Sequence, residues 1–229
     1  MAIIKLNERT GDPVEIFKRF RDSMGIDLRV AAPGIIESVD YVRQTCTVQL
    51  AIREKLNFDG NLEWVEIPVL PDVPFFIYSG GGYCLTLPIK PGDDCLVVFG
   101  DNCMDAWWQS GGVQNQVERR RHDLSDGFAI VGFRSQPQVV HGYSADTLQL
   151  RNAAGNACIE IDGSNINIKA GILTINANTI VNGTTTMNAN LSVNSTANIS
   201  SSTTIEGRSF VGHTHNGVQS GGGSTGGVN

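Results

Sequence analysis

The segment from Ile175 to Val211 reads "INANTIVNGTTTMNANLSVNSTANISSSTTIEGRSFV", and its periodicity decides what kind of molecule this is. Ile175, Val181, Met187, Val193, Ile199, Ile205 and Val211 fall at steps of six, and every one is apolar. At the chain's 41% apolar content, so many hits in a chosen phase would arise by chance about twice in a thousand, so the segment is a repeat. Two residues ahead of the later repeat positions stand Thr179, Thr185, Leu191, Ala197, Thr203 and Ser209, all small or apolar. On an extended chain these share a face with the residue that follows two places on. A six-residue unit is one short strand plus a corner, and a lone strand cannot bury its face. One solution is a single chain coiled as a left-handed parallel β-helix, as in hexapeptide-repeat acyltransferases. The other is three chains wound about a common axis, each forming one side of a triangular prism. The stripe is only one or two residues wide per strand, and the block is short with no obvious capping helix. Sharing the core among three chains suits that width, so the intertwined trimer is the expected architecture and the single-chain coil is the alternative.

The repeat runs into "VGHTHNGVQSGGGSTGGVN", Val211 to Asn229. Residues i and i+2 of an extended segment point the same way, so His213 and His215 present both imidazoles on the side that Val211 marks as inward. Two nitrogens are too few for a stable metal site, but a threefold axis turns two into six. Six neutral imidazoles in two stacked triangles make an octahedral site. Imidazole suits iron, nickel, copper and zinc, and six-coordination disfavours zinc. Fe2+, one per trimer on the axis, is the expected metal, with another transition metal as the alternative. Metal binding there would contribute to folding of the tip, where the apolar core is thinnest.

Upstream of the repeat the composition changes. From Ser144 onward the charged residues are only Asp146, Arg151, Glu160, Asp162, Lys169, Glu206 and Arg208, while Asn, Thr, Ser, Ala and Ile dominate. From Ala31 to about Pro137 the pattern is instead that of short strands. "PGIIESVDYVRQTCTVQLAI" gives two alternating runs around a turn near Asp40, and "WVEIPVLPDVPFFIY" is a third segment punctuated by Pro68, Pro71 and Pro74. "DDCLVVFGD" and "FAIVGF" complete the set. Strands with glycine turns and no long helix predict a five-stranded antiparallel Greek-key barrel of the oligonucleotide/oligosaccharide-binding (OB) type. Before it, "DPVEIFKRFRDSMG" predicts a short helix with Asp12 as N-cap, Pro13 at the first turn and Gly25 as the stop, and with Val14, Phe17, Phe20 and Met24 on one face. The expected all-β organisation is an amino-terminal arm with this helix over 1–28, the barrel over 29–143, a triple-stranded β-helix over 144–208 and an apex over 209–229.

Composition narrows function. A net charge of −6 lacks the basic face that phosphate backbones attract, so nucleic acid is not an expected partner. Cys46, Cys84, Cys95, Cys103 and Cys158 are odd in number and form no C-x-x-C pair, which fits thiols made in a reducing cytoplasm rather than a disulfide framework. No signal sequence or membrane-spanning segment is expected. "RRRHDLSD" places His122, Asp123, Ser125 and Asp126 together, but a nucleophile, base and orienting acid so close in sequence rarely converge. No H-E-x-x-H or P-loop pattern is present, so no enzymatic activity is expected. The Arg119 to Arg121 run reads as a solvated face, and Trp107 and Trp108, if extended, point to opposite sides.

"GGGYCLTLPIKPGDDCLVVFGDNCMDAWWQSGG" (Gly80 to Gly112) and "RRHDLSDGFAIVGFRSQP" (Arg120 to Pro137) are similar to the amino-terminal barrel of one family of central spike proteins in contractile-tailed bacteriophages and phage-tail-like bacteriocins. "GHTHNGVQSGGGSTGG" (Gly212 to Gly227) resembles the metal-binding apex of the same spikes. The resemblance implies a homotrimer at the baseplate tip of the virion, with its barrels collared at the baseplate hub protein. It also implies a projecting triple β-helix, iron held at the point by His213 and His215, and a mechanical task. Sheath contraction would drive the spike through the outer membrane of a Gram-negative host. Some relatives insert a lysozyme domain between barrel and helix; here "SADTLQLRNAAGNACIEIDG" leaves no room for one. The competing expectation is a stalked trimeric module that binds a receptor or glycan through its barrel.

Overall fold

The computed structural model describes residues 13–58, 61–210 and 221. The chain divides into two compact units, Met1–Gly171 and Ile172–Asn229. In the first, helix α1 (Pro13–Asp27) precedes strands β1 (Ala31–Asp40) and β2 (Thr45–Leu50). A hairpin of β3 (Glu54–Phe58) and β4 (Asn61–Val65) follows, then β5 (Leu70–Pro74) and a second hairpin of β6 (Tyr78–Gly80) and β7 (Tyr83–Leu85). After β8 (Asp94–Phe99) come helix α2 (Asp105–Ser110) and β9 (Gly127–Val131).

Five of these strands form one antiparallel sheet in the order β5-β2-β1-β8-β9. Its two edges meet at a parallel bridge between Phe75 and Ala129, where Phe76 N–H donates to the Ala129 carbonyl at 2.8 Å. This is the OB-type connectivity, an antiparallel sheet curled until its first and last strands touch. The central strand makes the curl possible. The start of β1 (Ala31 to Ile35) pairs with β8, while Gly34 through Asp40 pair with β2 across a register break between Ile36 and Ser38. Such a bulge sharpens local twist and bends the strand from one side of a barrel to the other.

Alternation along β2 and β8 sends Cys46, Val48, Leu50, Cys95, Val97 and Phe99 inward, where they join Ile36, Leu70, Val73 and Ala129. Burial pushes the Cys46 thiol up to about 12 and the Cys95 thiol up to about 11, so both sit in the core as neutral, unreactive groups. Gly34 lies where β1 is clasped on both sides, opposite Leu50 and Cys95. A Cβ there would stand 2.5 Å from Val48 Cγ1 and 3.2 Å from Cys95 Sγ. Gly34→Ala is therefore expected to destabilise the barrel by about 1–3 kcal/mol through overpacking, read as a lower midpoint in chemical denaturation. An unchanged midpoint would show that the core yields freely at this point.

The expected strand segments are all present, with corrections around them. The turn near Asp40 is closed by its own carboxylate, whose Oδ1 accepts from the backbone N–H groups of Val42 (2.9 Å) and Arg43 (3.0 Å). The proline-punctuated segment holds the end of β4 and all of β5. Pro71 and Pro74 are tolerated because β5 is an edge of the antiparallel sheet, where a missing N–H costs little. Helix α1 continues through Gly25 to Asp27, since one helical glycine costs only about 1 kcal/mol. Its expected cap, Asp12, lies outside the described residues. Trp107 and Trp108 are helical, on α2, rather than extended; Trp107 meets Phe128 edge-on at 5.9 Å, and both indoles remain partly exposed.

Beyond the barrel, β10 (Leu148–Arg151), β11 (Cys158–Asp162) and β12 (Asn165–Lys169) form a separate antiparallel sheet. The second unit contains, among its described residues, one hairpin of β13 (Thr204–Ile205) and β14 (Arg208–Ser209). No strand is formed between Ile172 and Thr203.

Candidate functional site

The repeat is the feature whose geometry bears most directly on function. Ile175, Val181, Met187, Val193, Ile199 and Ile205 are all exposed, between 49% and 65%. A chain coiled on itself would bury this set, because each turn would cover the next. The single chain leaves them open.

The last described position of the repeat, Ile205, lies in the β13–β14 hairpin. Glu206 (φ 51°) and Gly207 (φ 76°) make its two-residue turn, both in the left-handed region that tight hairpin turns demand. Phe210 N–H then donates to the Thr203 carbonyl at 2.7 Å, fixing the last described residues before the glycine-rich end. His213 and His215 lie outside the described residues.

The cluster at "RRRHDLSD" resolves into structural roles. Asp123 accepts from Ser125 N–H (2.9 Å) and Ser125 Oγ (2.7 Å), capping a 3-10 turn over Leu124–Asp126. These two donors hold the Asp123 carboxyl below the usual carboxylate range. The Ser125 hydroxyl is thus spent on Asp123 and not on His122, whose Nε2 instead lies 3.4 Å from Asp101 Oδ1. The four residues form no nucleophile-to-base chain. Asp126 is wholly buried and turns the other way, toward Arg120, whose Nε approaches Asp126 Oδ2 at 2.7 Å.

Arg120 corrects the reading of Arg119 to Arg121 as one solvated face. Its side chain is only 19% exposed and ties Asp126, Asp105 (2.8 Å) and Glu118 (3.1 Å) together, and these carboxylates hold the guanidinium firmly charged. No periodicity announces this residue. The only signal was a basic run with carboxylates at Asp105, Glu118 and Asp126, and which arginine turns inward depends on the loop.

Cys103, Asp105 and Asp126 bring one ligand atom each to within 4.8 Å of one another, a spacing that a cation could use. The residues do not fit one. Two of the three donors already face the Arg120 guanidinium, and Asp126 Oδ1 also accepts from Met104 N–H at 2.9 Å. The positive charge of this cluster is supplied by arginine.

On the barrel surface a cavity of about 320 Å³ is lined mainly by Tyr41, Phe75, Phe76, Tyr78, Leu87 and Ile89. Tyr41 O–H donates to the Ile89 carbonyl at its rim.

Comparison with known proteins finds two matches. Residues 32–132 match the family described as phage protein Gp138 N-terminal domain, which coincides with the barrel. Residues 209–227 match the GpV Apex motif, which takes in both His213 and His215. No curated protein matches the chain.

Proposed function

We propose a mechanical role for this chain, which in both matched segments is a member of the phage baseplate central spike family. It is a phage tail spike protein, and the families it matches are structural components of phage tails. Three copies assemble about one axis. The arm (1–28) and barrel (29–143) form a collar on the baseplate hub protein, residues 144–208 form the stem as a triple-stranded β-helix, and 209–229 form the point. Sheath contraction drives that point through the host outer membrane.

The observation that carries this reading is the open apolar ladder of the stem, followed in sequence by the Apex match. A ladder exposed in one chain and closed by two others accounts for the six-residue step, the narrow stripe and the lack of strands between Ile172 and Thr203. Three interwoven chains separate only by unthreading, so the stem resists unfolding kinetically as a needle must. No helix among the described residues is long and apolar enough to cross a membrane, and the stem's Asn, Thr and Ser surface does not partition into lipid. Entry is therefore forced from behind rather than spontaneous.

At the point, His213 and His215 of each chain supply six imidazoles. A bound Fe2+ would cross-link the three ends where no apolar core remains. The test is the metal-to-chain ratio of untagged protein purified without added metal, with the metal identified. One iron per three chains is expected, falling to none in His213→Ala and His215→Ala while the barrel stays folded. Full metal content in both variants, or one metal per chain, overturns the assignment.

A second reading has one observation in its favour, the aromatic-lined cavity on the barrel. A stalked trimer that recognises a glycan would use such a surface. Selective binding on a glycan array would support it, whereas the piercing spike shows none.

A further inference from the structure

Residues 132–147 run from the end of β9 to the start of β10 without a strand of their own. Connections of this length are uncommon in compact proteins, and a slack one would buckle under an axial push. Apolar packing does not hold the segment: Val139, Val140 and Tyr143 are 43%, 40% and 81% exposed. Hydrogen bonds do. At the barrel end, Asp94 Oδ2 on β8 accepts from Ser135 N–H (2.8 Å) and Ser135 Oγ (2.6 Å). Arg134 Nη1 donates to the Gln138 carbonyl at 2.9 Å, across a 3-10 turn over Gln136–Gln138. Just before β10, Ser144 Oγ accepts from Thr147 N–H (3.1 Å) and Thr147 Oγ1 (2.8 Å).

Between these two ends the segment is held by Arg151 of β10. Its Nη2 donates to the His141 carbonyl (2.9 Å) and its Nη1 to the Gly142 carbonyl (2.5 Å). The same guanidinium donates to the carbonyls of Asn152 and Ala153, each at 3.2 Å, in the turn that leads to β11. Charge-assisted bonds are about twice as strong as neutral ones, and a planar fork makes several at once. The turn is shaped around this group: Gly155 (φ 68°) lies so close that a Cβ there would stand 2.8 Å from Arg151 Nη2 and 3.1 Å from its Cζ.

We propose that Arg151 is the positioning residue of a stiff coupling between barrel and stem. It fastens residues 141 and 142 to the first turn of the stem, so that an axial push on the barrel reaches the stem instead of buckling the connection. This deepens the mechanical role proposed above and rests on it for the load, while the fastening itself is made within one chain. Carbonyls from two separate segments converge on one rigid plane, so neither segment turns against the other without breaking bonds to it. The residue type matters as much as the charge, because a lysine ammonium offers no fork to bridge them.

The test is limited digestion of the full-length protein with chymotrypsin. It is read as the rate of cleavage after Tyr143 relative to cleavage after Tyr83, which is 84% exposed on the β6–β7 hairpin. In Arg151→Ala the ratio is expected to rise at least about 10-fold, because the backbone beside the cut loses two charge-assisted bonds. Arg151→Lys is expected to behave like Arg151→Ala. The barrel's denaturation midpoint and the native mass are expected to stay as in the unmodified protein. Electron micrographs of single particles are expected to show a narrow spread of barrel-to-stem angles that broadens in Arg151→Ala. An unchanged cleavage ratio in Arg151→Ala, or protection kept in Arg151→Lys, overturns the fastening. A rise accompanied by a lower barrel midpoint also overturns it, as general loosening. A rise without a broader spread of angles overturns the coupling role. An unmodified protein that is not a trimer overturns the spike reading and the coupling with it, whatever the cleavage ratio.

Discussion

Asp126→Ala is expected to remove roughly 3–5 kcal/mol of barrel stability. Asp126 is wholly buried, with Oδ2 2.7 Å from Arg120 Nε and Oδ1 accepting from Arg120 Nη2 (3.1 Å) and Met104 N–H (2.9 Å). Alanine strands the part-buried Met104 N–H and leaves the guanidinium with Asp105 and Glu118, 44% and 63% exposed and weakly held. Domains of this size are stable by only about 5–15 kcal/mol, so the loss is a large fraction of the whole. Denaturant unfolding followed through tryptophan emission reads it directly, because Trp107 on α2 packs against Phe128 beside the cluster. The pair is costly to break rather than intrinsically strong. Arg120→Met with Asp126→Leu, which removes both charges together, is therefore expected to recover much of the loss. If Asp126→Ala unfolds at the same denaturant concentration as the unmodified barrel, the cluster is ornamental.

Val193→Asp is expected to abolish the stem. In the proposed trimer each substitution places three carboxylates around one axis, each buried without a partner at about 3–5 kcal/mol and each repelling the other two. Loss of protease resistance beyond Gly171 and a fall in native mass are the expected readouts. The adjacent Asn194→Asp faces outward on the extended chain and is expected to change neither, which separates a specific effect from added charge. A Val193→Asp protein that remains a protease-resistant trimer would remove the ladder from the core.

These two variants probe features that differed in how legible they were. The ladder could be read from residue spacing because a periodic structure repeats its burial requirement at every turn, and Val181 or Met187 announces the same constraint as Ile175. The barrel strands were readable for a related reason: Cys46, Val48 and Leu50, like Cys95, Val97 and Phe99, alternate with the pleat. The Arg120–Asp126 cluster was not readable. Its members come from a helix start, a loop and a 3-10 turn, and nothing local distinguishes Arg120 from Arg119 or Arg121. The aliphatic face of β10 to β12 lies between these cases. "LQLR", "CIEID" and "NINIK" alternate plainly, but a stem assigned from composition over 144–208 absorbs them, and only the register shows that Leu148, Leu150, Ile159, Ile161, Ile166 and Ile168 meet on one face.

The sequence by itself determined the repeat, the strand positions of the barrel and the paired histidines at the end of the stripe. Each depends on contacts between residues close in the chain or on a period that recurs along it. The tertiary structure decided which arginine is buried, where Trp107 points, how the edge strands meet at Phe75 and Ala129, and which face of the 148–169 sheet is left bare. Those outcomes depend on side chains brought together across long sequence separations, where register and strand curvature rather than local pattern determine what touches what.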